Sequence, residues 1–368
     1  MAHDVLVLGA TVAGLTVARR LAQRGYDVVV LDPNREAESA AIGHGVAAVG
    51  HASTIANMAH AYGVEAAREH VRRNMAGIEE IREISPGHEH VTLRDLSLPG
   101  GDETESRRIV ELYREAGNDA ELRVSPDGVA IHTPAYAIDP TAHAQALRAA
   151  AVAAGANVVH GVTVAHLTRR EGLTRVHFRN NLAWIRDVGT VSGKAVVDTL
   201  GVSPWGRAAS VAPAQWVPVA RCAPSRRLRE VTLRAAATAW LVRPVGDHAL
   251  VLGQKSAGAR IDRATDELSA WCEAELGATE VEVGRLAIDP SDHGRPVVGA
   301  SAIPGGFYAR GNGRGELMNG TASGWYLAEL MADGAGSLPP ISRLRAFGSR
   351  AFRRGPGRFA PEARLNER

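Results

Sequence analysis

The chain has 368 residues, 45% hydrophobic and 22% charged, proportions that exclude a largely disordered or collagen-like protein. Its 42 basic and 40 acidic residues leave a net charge of +2. Ile341 to Arg368 carries eight arginines and two glutamates, a net +6 that leaves the preceding part at −4, which argues against nucleic acid as a partner.

At about 150 residues per domain, this length suggests two domains. Apolar runs break well before 18 residues, so no membrane span is expected. No signal peptide is expected, because Met1-Ala2-His3-Asp4 leads straight into a core strand. Cys222 and Cys272 are the only cysteines. They read as buried thiols of a reducing compartment, which points to the cytoplasm.

In chain order, Asp4 to Leu8 predicts a buried strand and Ala13 to Arg24 a helix ending at Gly25-Tyr26. Asp27 to Leu31 predicts a second buried strand with Asp32 at its end. Ala37 to Ala61 is rich in small residues that allow close approach to a ligand or another backbone. Glu65 to Glu83 reads as an amphipathic helix, and Ser85 to Asp127 as a polar stretch with several turns. Asp139-Pro140-Thr141 starts a helix that runs from His143 to Ala154. Residues 157–160, 162–167, 175–179 and 195–198 read as strands, and 225–253 contains alternating ones. Thr265 to Leu276 and Glu316 to Met331 read as helices, with short strands at 297–299 and 307–309 between them.

These elements describe an interleaved α/β chain. A nucleotide-binding portion comes from 1–84, 139–206 and 290–335. A β-rich portion comes from 85–138 and 207–289, and 336–368 is an arginine-rich extension.

Gly9-Ala10-Thr11-Val12-Ala13-Gly14 follows a strand and opens a helix, as a dinucleotide-binding loop does. Gly9 allows the tight turn, backbone amides face a pyrophosphate, and Gly14 permits close helix–strand packing. Asp32 is placed to accept hydrogen bonds from ribose hydroxyls, and it disfavours a 2′-phosphate. Thr11 departs from the pattern. It replaces the second glycine, where its side chain either crowds the phosphate or donates to it.

With these segments the chain resembles the D-amino-acid-oxidase-like flavoproteins, which include glycine oxidase, sarcosine oxidase and related amine oxidases. Four further segments carry the resemblance. Glu38 to Gly45, with Ala40, Ala41 and Gly43, is similar to the helix start that lies along the flavin in that family. Gly161 to Leu167 contains Val164, which matches a valine whose backbone meets the adenine. Val196 to Trp205, with Gly201, is similar to the turn that returns to the cofactor. Asp292 to Gly299, followed by Gly311-Asn312-Gly313-Arg314-Gly315, resembles the C-terminal flavin loop.

The resemblance implies a Rossmann-like FAD-binding domain interleaved with a β-rich (α+β) substrate domain. The implied FAD is non-covalent, since no cysteine lies near Asp289 to Gly299. The implied activity is oxidation of a C–N bond in an amine or amino-acid-like substrate by hydride transfer to flavin. It is suited to a biosynthetic pathway, with O2 or another acceptor. An oligomer is possible, and the sequence leaves the oligomeric state open.

Family members that oxidise amino acids place an arginine before the C-terminal loop to grip the carboxylate. Aligning the proline puts Asp289 there, which suggests a cationic substrate. Arg285 or Arg295 in a shifted register, or a turn-capping Asp289, is the alternative. His44, His51 and His293 flank the flavin segments as candidate acids, bases or donors. Arg314 either pairs with Glu316 or offsets charge on reduced flavin. Trp205, Trp240 and Tyr308 are candidates for pocket lining or for core. Two other functional readings remain: a non-catalytic binding or scaffolding relative, and a flavin monooxygenase.

Overall fold

The structure is a computed structural model. It describes residues 2–34, 43–98, 102–125, 128–180, 188–200, 215–234, 238–254, 260–288, 296–301 and 304–332.

Strand β1 (His3–Leu8) pairs in parallel with β2 (Val28–Leu31) and with β10 (Val188–Asp198). Alternation along β1 explains why the run is apolar throughout. Val5 and Val7 join the larger core, while Leu6 and Leu8 join a smaller one on the opposite face. A strand buried on both faces shows no polar alternation. The sheet extends from β2 to β7 (Asn157–Val159), and from β10 through β17 (Gly306–Arg310) to β16 (Val297–Ala300). An antiparallel pair, β8 (Val162–Arg170) and β9 (Leu173–Asn180), continues the long β10 strand.

Helices α1 (Val12–Gln23), α5 (Pro140–Ala153) and α7 (Glu316–Ala332) contribute to the larger core. Asp139 caps α5, accepting from the amides of Thr141 and Ala142 at 2.8 and 3.1 Å. Pro140 follows as its first residue, the start signal seen in the sequence. Helices α2 (Ala52–Tyr62), α3 (Val64–Ile84) and α4 (Glu103–Glu115) supply Ile55, Ile81 and Tyr113 to the same core.

The polar stretch before residue 127 is more ordered than its composition suggested. It holds β4 (His88–Leu96), α4 and β5 (Glu121–Ser125). Charged residues such as Glu103, Glu105 and Arg107 occupy exposed or half-buried positions of α4. The apolar face of that helix is short and sits among polar residues, so it shows weakly in the sequence.

The second sheet runs β15 (Val281–Ile288), β11 (Gln215–Cys222), β14 (His248–Gly253), β13 (Ala239–Val245), β12 (Val231–Arg234), β4, β6 (Gly128–Ile138) and β3 (Val46–Ala47). Helix α6 (Ile261–Leu276) covers one of its faces, where the buried free thiols of Cys222 and Cys272 lie side by side in one apolar cluster. The two-residue strand β3 links the sheets, because the chain crosses from the end of the first sheet to pair with β6. Among the described residues, no helix is long and apolar enough to cross a membrane.

Candidate functional site

Parallel pairing places the ends of β1, β2, β10 and β17 on one edge of the first sheet. Residues 9–14, 32, 199–200 and 311–315 therefore gather at the carboxyl ends of the strands, where open α/β sheets bind ligands.

Gly9 has φ +104°, and a Cβ there would lie 2.7 Å from the Leu200 side chain. A Cβ on Gly14 would lie 2.1 Å from the Gly9 carbonyl oxygen. Glycine is required at both positions. Thr11 has φ −71° and acts as the N-cap of α1, its hydroxyl accepting from the Gly14 amide at 3.1 Å. It also donates to the Thr199 hydroxyl at 2.9 Å, and Thr199 donates to the Leu8 carbonyl at 2.8 Å. The hydroxyl is thus turned onto its own loop and onto the end of β10. Ala13 is fully buried in α1.

Asp32 is 1% exposed. Burial raises its pKa above the usual carboxylate value, opposed by the Asn34 amide and by His160. The His160 Nδ1 lies 3.2 Å from the Asp32 carboxylate, and Arg148 reaches Nε2 of the same ring at 3.3 Å. Arginine only donates, so His160 accepts at Nε2 and donates from Nδ1. Val164 lies on β8, beside a register shift against β9.

The segment from Gly43 runs between the sheets. Gly43 approaches the Arg314 backbone, its virtual Cβ 3.9 Å from that carbonyl oxygen. His44 is 2% exposed, and its Nδ1 accepts from the Val46 amide at 3.1 Å. The ring therefore carries its proton on Nε2 and is a donor. That Nε2 has no hydrogen-bond partner. Burial first, and then the Arg243 and Arg314 charges, lower the His44 pKa to about 4. The Arg314 backbone is near enough to favour the charged ring, without hydrogen-bond geometry at Nε2. His51 is lowered to about 3, chiefly by burial, then by His44 and Arg314. Both rings are neutral at pH 7.

Three residues organise this region from outside it. Arg243 on β13 donates to the carbonyls of His44 and Ile138 at 2.7 and 2.8 Å. Asp95 on β4 accepts from the Ala52 amide at 2.7 Å and so caps α2, whose own N-cap, His51, makes no side-chain cap. Trp240 on β13 meets the edge of His51 at a centroid distance of 4.8 Å, and the Arg314 guanidinium lies over its ring at 4.2 Å.

The loop before α7 is fixed by glycine conformations and by α1. Gly311 and Gly313 have φ +70° and +60°. A Cβ on Gly324 would lie 2.6 Å from the Ala13 carbonyl oxygen, so α7 crosses directly over the start of α1. Asn312 is buried, accepting from the Ser323 hydroxyl at 3.2 Å and, through its carbonyl, from the Asn319 amide at 2.9 Å. A Cβ on Gly315 would meet that Asn319 amide at 2.9 Å. Arg314 faces Trp240. Burial lowers its pKa to about 9.

These pieces enclose a cavity of about 230 Å³, whose lining includes His51, Asn74, Trp240, Arg314 and Asn319. The structure therefore brings His51 and Arg314 together, with His44 behind them. Ala40, Ala41, Gly201, Trp205, Asp289, His293 and Arg295 lie outside the described residues. So does the 336–368 extension. Arg285 is exposed, stacked over Trp216 at 5.4 Å and 3.9 Å from Asp262. Sequence reasoning missed Asn74, Asp95, His160, Arg243 and Asn319. Each lies in an ordinary helical or strand pattern, and only tertiary contact shows its role. His160 alone had a signal, since it directly follows β7, the strand next to β2.

A family model described as FAD dependent oxidoreductase (DAO) matches residues 4–330. The chain belongs to this family. The flavoprotein's fold is similar to that of L-proline dehydrogenase from P. horikoshii (TM-score 0.69, 14% identity, covering 94% of this chain and 98% of that one). It is also similar to glycine oxidase from Geobacillus kaustophilus (0.68, 17%, 94% and 98%) and to iminodiacetate oxidase from a Chelativorans species (0.65, 20%, 91% and 97%). No curated protein matches the chain.

FAD is the cofactor of the family, and the residues present fit it. The glycine-only turn at Gly9, the start of α1 and the buried Asp32 carboxylate suit a pyrophosphate and a ribose diol. The Thr11 hydroxyl occupies the Gly14 amide without placing a charge in the loop.

Proposed function

We propose that this FAD-dependent enzyme oxidises the C–N bond of a small amine or amino-acid-like substrate, delivering electrons to O2 or another acceptor. The observation that carries this reading is the polar cavity bounded by the loop before α7, the start of α2 and Trp240.

Gly9, Gly14, Asp32 and the backbone of 311–315 would hold the cofactor. When bound, it supplies the hydride-accepting ring of the reaction. The protein's own part is to bind, orient and keep charge where it is needed. His44 presents Nε2–H as a donor and is unsuited to take a proton at that atom. His51 remains neutral and bounds the cavity without adding charge. Arg314 supplies the positive charge, stacked on Trp240.

Asp289 belongs to the same proposal as a group that attracts the substrate's ammonium. Asp289→Ala is expected to weaken binding of a cationic substrate, and unchanged binding removes that role. The enzyme reading is tested by the visible spectrum of the purified protein, followed by anaerobic addition of amines and amino acids. Flavin bands that bleach with such a substrate support it. A protein that neither holds nor takes up FAD overturns it.

A further inference from the structure

The carboxylate of Asp32 is held from two sides. The Asn34 amide and its side-chain Nδ2 donate to Oδ1 at 3.4 and 3.2 Å, and His160 Nδ1 donates to Oδ2 at 3.2 Å. Pinned on both oxygens, the group cannot turn about its Cβ–Cγ bond without losing a partner. The backbone fixes the same neighbours. The Asp32 amide donates to the Val159 carbonyl, the Val162 amide to the Asp32 carbonyl and the Gly161 amide to the Asn34 carbonyl, each at 2.9 Å. His160 therefore sits in a turn that is bonded on both sides to the end of β2.

His160 is itself held in one tautomer. Arg148 of α5 donates to Nε2 at 3.3 Å, so the ring proton is on Nδ1, facing the carboxylate. The His160 side chain is 13% exposed and that of Asp32 2%. A buried carboxylate is costly to a fold, and apolar residues of similar volume serve packing as well or better. The charge is nevertheless present, and it stands at the carboxyl end of β2, where the glycine turn bonds to the same strand through the Gly9 amide and the Leu31 carbonyl at 2.8 Å. Burial pushes the Asp32 pKa up, while Asn34, His160 and the Ala10 amide of that turn draw it down.

We propose that His160 is a positioning residue for FAD: its Nδ1–H fixes the Asp32 carboxylate in the orientation that reads the adenosine ribose hydroxyls, and Arg148 fixes His160. This rests on Asp32 as the ribose-binding group and goes beyond it. Discrimination of ribose from deoxyribose then depends on α5 and on the turn after β7, neither of which belongs to the glycine loop. Replacing His160 loosens the carboxylate without removing it, so the loss falls on the hydroxyl contacts and not on the rest of the cofactor.

The test is a fluorometric titration of the full chain, freed of flavin, with FAD and with two analogues whose adenosine lacks the 2′- or the 3′-hydroxyl. Wild type is expected to prefer FAD over at least one analogue about 10-fold or more. His160→Phe keeps a flat ring but no donor. It is expected to weaken FAD about 10- to 100-fold and that analogue far less, so the preference collapses. His160→Asn carries an N–H near the position of Nδ1 and is expected to recover most of the preference. Arg148→Met releases the tautomer and is expected to lower the preference by less than His160→Phe does.

A His160→Phe protein that loses affinity equally for all three cofactors overturns the proposal, because a merely structural residue would act in that way. So does one that keeps the wild-type preference. If His160→Phe fails to fold, His160→Asn decides, and loss of the preference in a folded Asn variant overturns the assignment of the Nδ1 donor. Asp32→Asn separates this proposal from the reading beneath it. An unchanged preference in Asp32→Asn removes the ribose role of Asp32 and the proposal with it. A preference lost in Asp32→Asn but kept in His160→Phe leaves Asp32 standing and removes His160 alone.

Discussion

Arg243, on the second sheet, donates to the main-chain carbonyl of His44 at 2.7 Å and thereby ties that sheet to the segment passing the cavity. A Cβ on Gly45 would lie 2.3 Å from the same guanidinium, so the glycine exists to admit it. Arg243→Met leaves the carbonyls of His44 and Ile138 without their donor. The expected loss is about 2–4 kcal/mol, read from urea midpoints, together with weaker FAD binding. Arg243→Lys is expected to restore part of both. A Met variant as stable as wild type would show that the clamp carries no energy.

Thr11 is expected to serve α1 more than the cofactor. Thr11→Ala removes the cap and should cost about 1 kcal/mol, whereas Thr11→Gly should cost only a few tenths. Thr11→Gly also frees the Gly14 amide, so FAD should bind it at least as tightly as wild type. Fluorometric FAD titration checks this, and a large loss of affinity in Thr11→Gly would mean that the hydroxyl itself holds the cofactor.

Acid should destabilise the fold through the buried histidines that it keeps neutral. The fold holds His44 and His143 neutral down to about pH 4 and His51 to about pH 3, against 6.5 for a free ring. Between pH 6.5 and 4 the unfolded chain binds protons that the folded one refuses. Stability therefore falls as pH drops through that window, by about 1.4 kcal/mol per pH unit for each ring. The contributions of His44 and His143 level off below about 4. Urea midpoints at pH 7, 5.5 and 4.5 give the slope. His143→Asn should flatten it by one ring's share, and an unchanged slope would refute the assignment.

Gly324 and Gly284 form a matched pair. Gly324→Ala places a methyl 2.6 Å from the Ala13 carbonyl oxygen and must push α7 off α1. About 1–3 kcal/mol should be lost, and FAD affinity should fall with it because the loop 311–315 moves. Gly284→Ala meets nothing within 4 Å and should change neither. Thermal unfolding with FAD titration compares the two.

The first sheet and its glycine turn were legible because β1 and β2 are uninterrupted apolar runs and Gly9 and Gly14 sit at fixed offsets from them. Asp139-Pro140 marked its helix for a similar local reason. The cavity was not legible. Its walls come from α2, α3, β13 and the start of α7, which are far apart in sequence. Asn74 and Asn319 look like ordinary polar helical positions. Trp240 was read by default as core, and nothing near Arg314 in the chain shows that its guanidinium stacks on a tryptophan from the other sheet. The thiols were read as buried, but their mutual contact across β11 and α6 is a tertiary fact.

That contact gives the molecule an internal reporter. Cys222 and Cys272 are 1% and 0% exposed, so a thiol reagent reacts with either only after α6 lifts from β11. Labelling rates measured across a urea series would show whether this layer opens alone or only with the whole chain. Because both sulfurs sit under one helix, they should become reactive together, and an oxidant trapping the open form would lock α6 to the strand it had left.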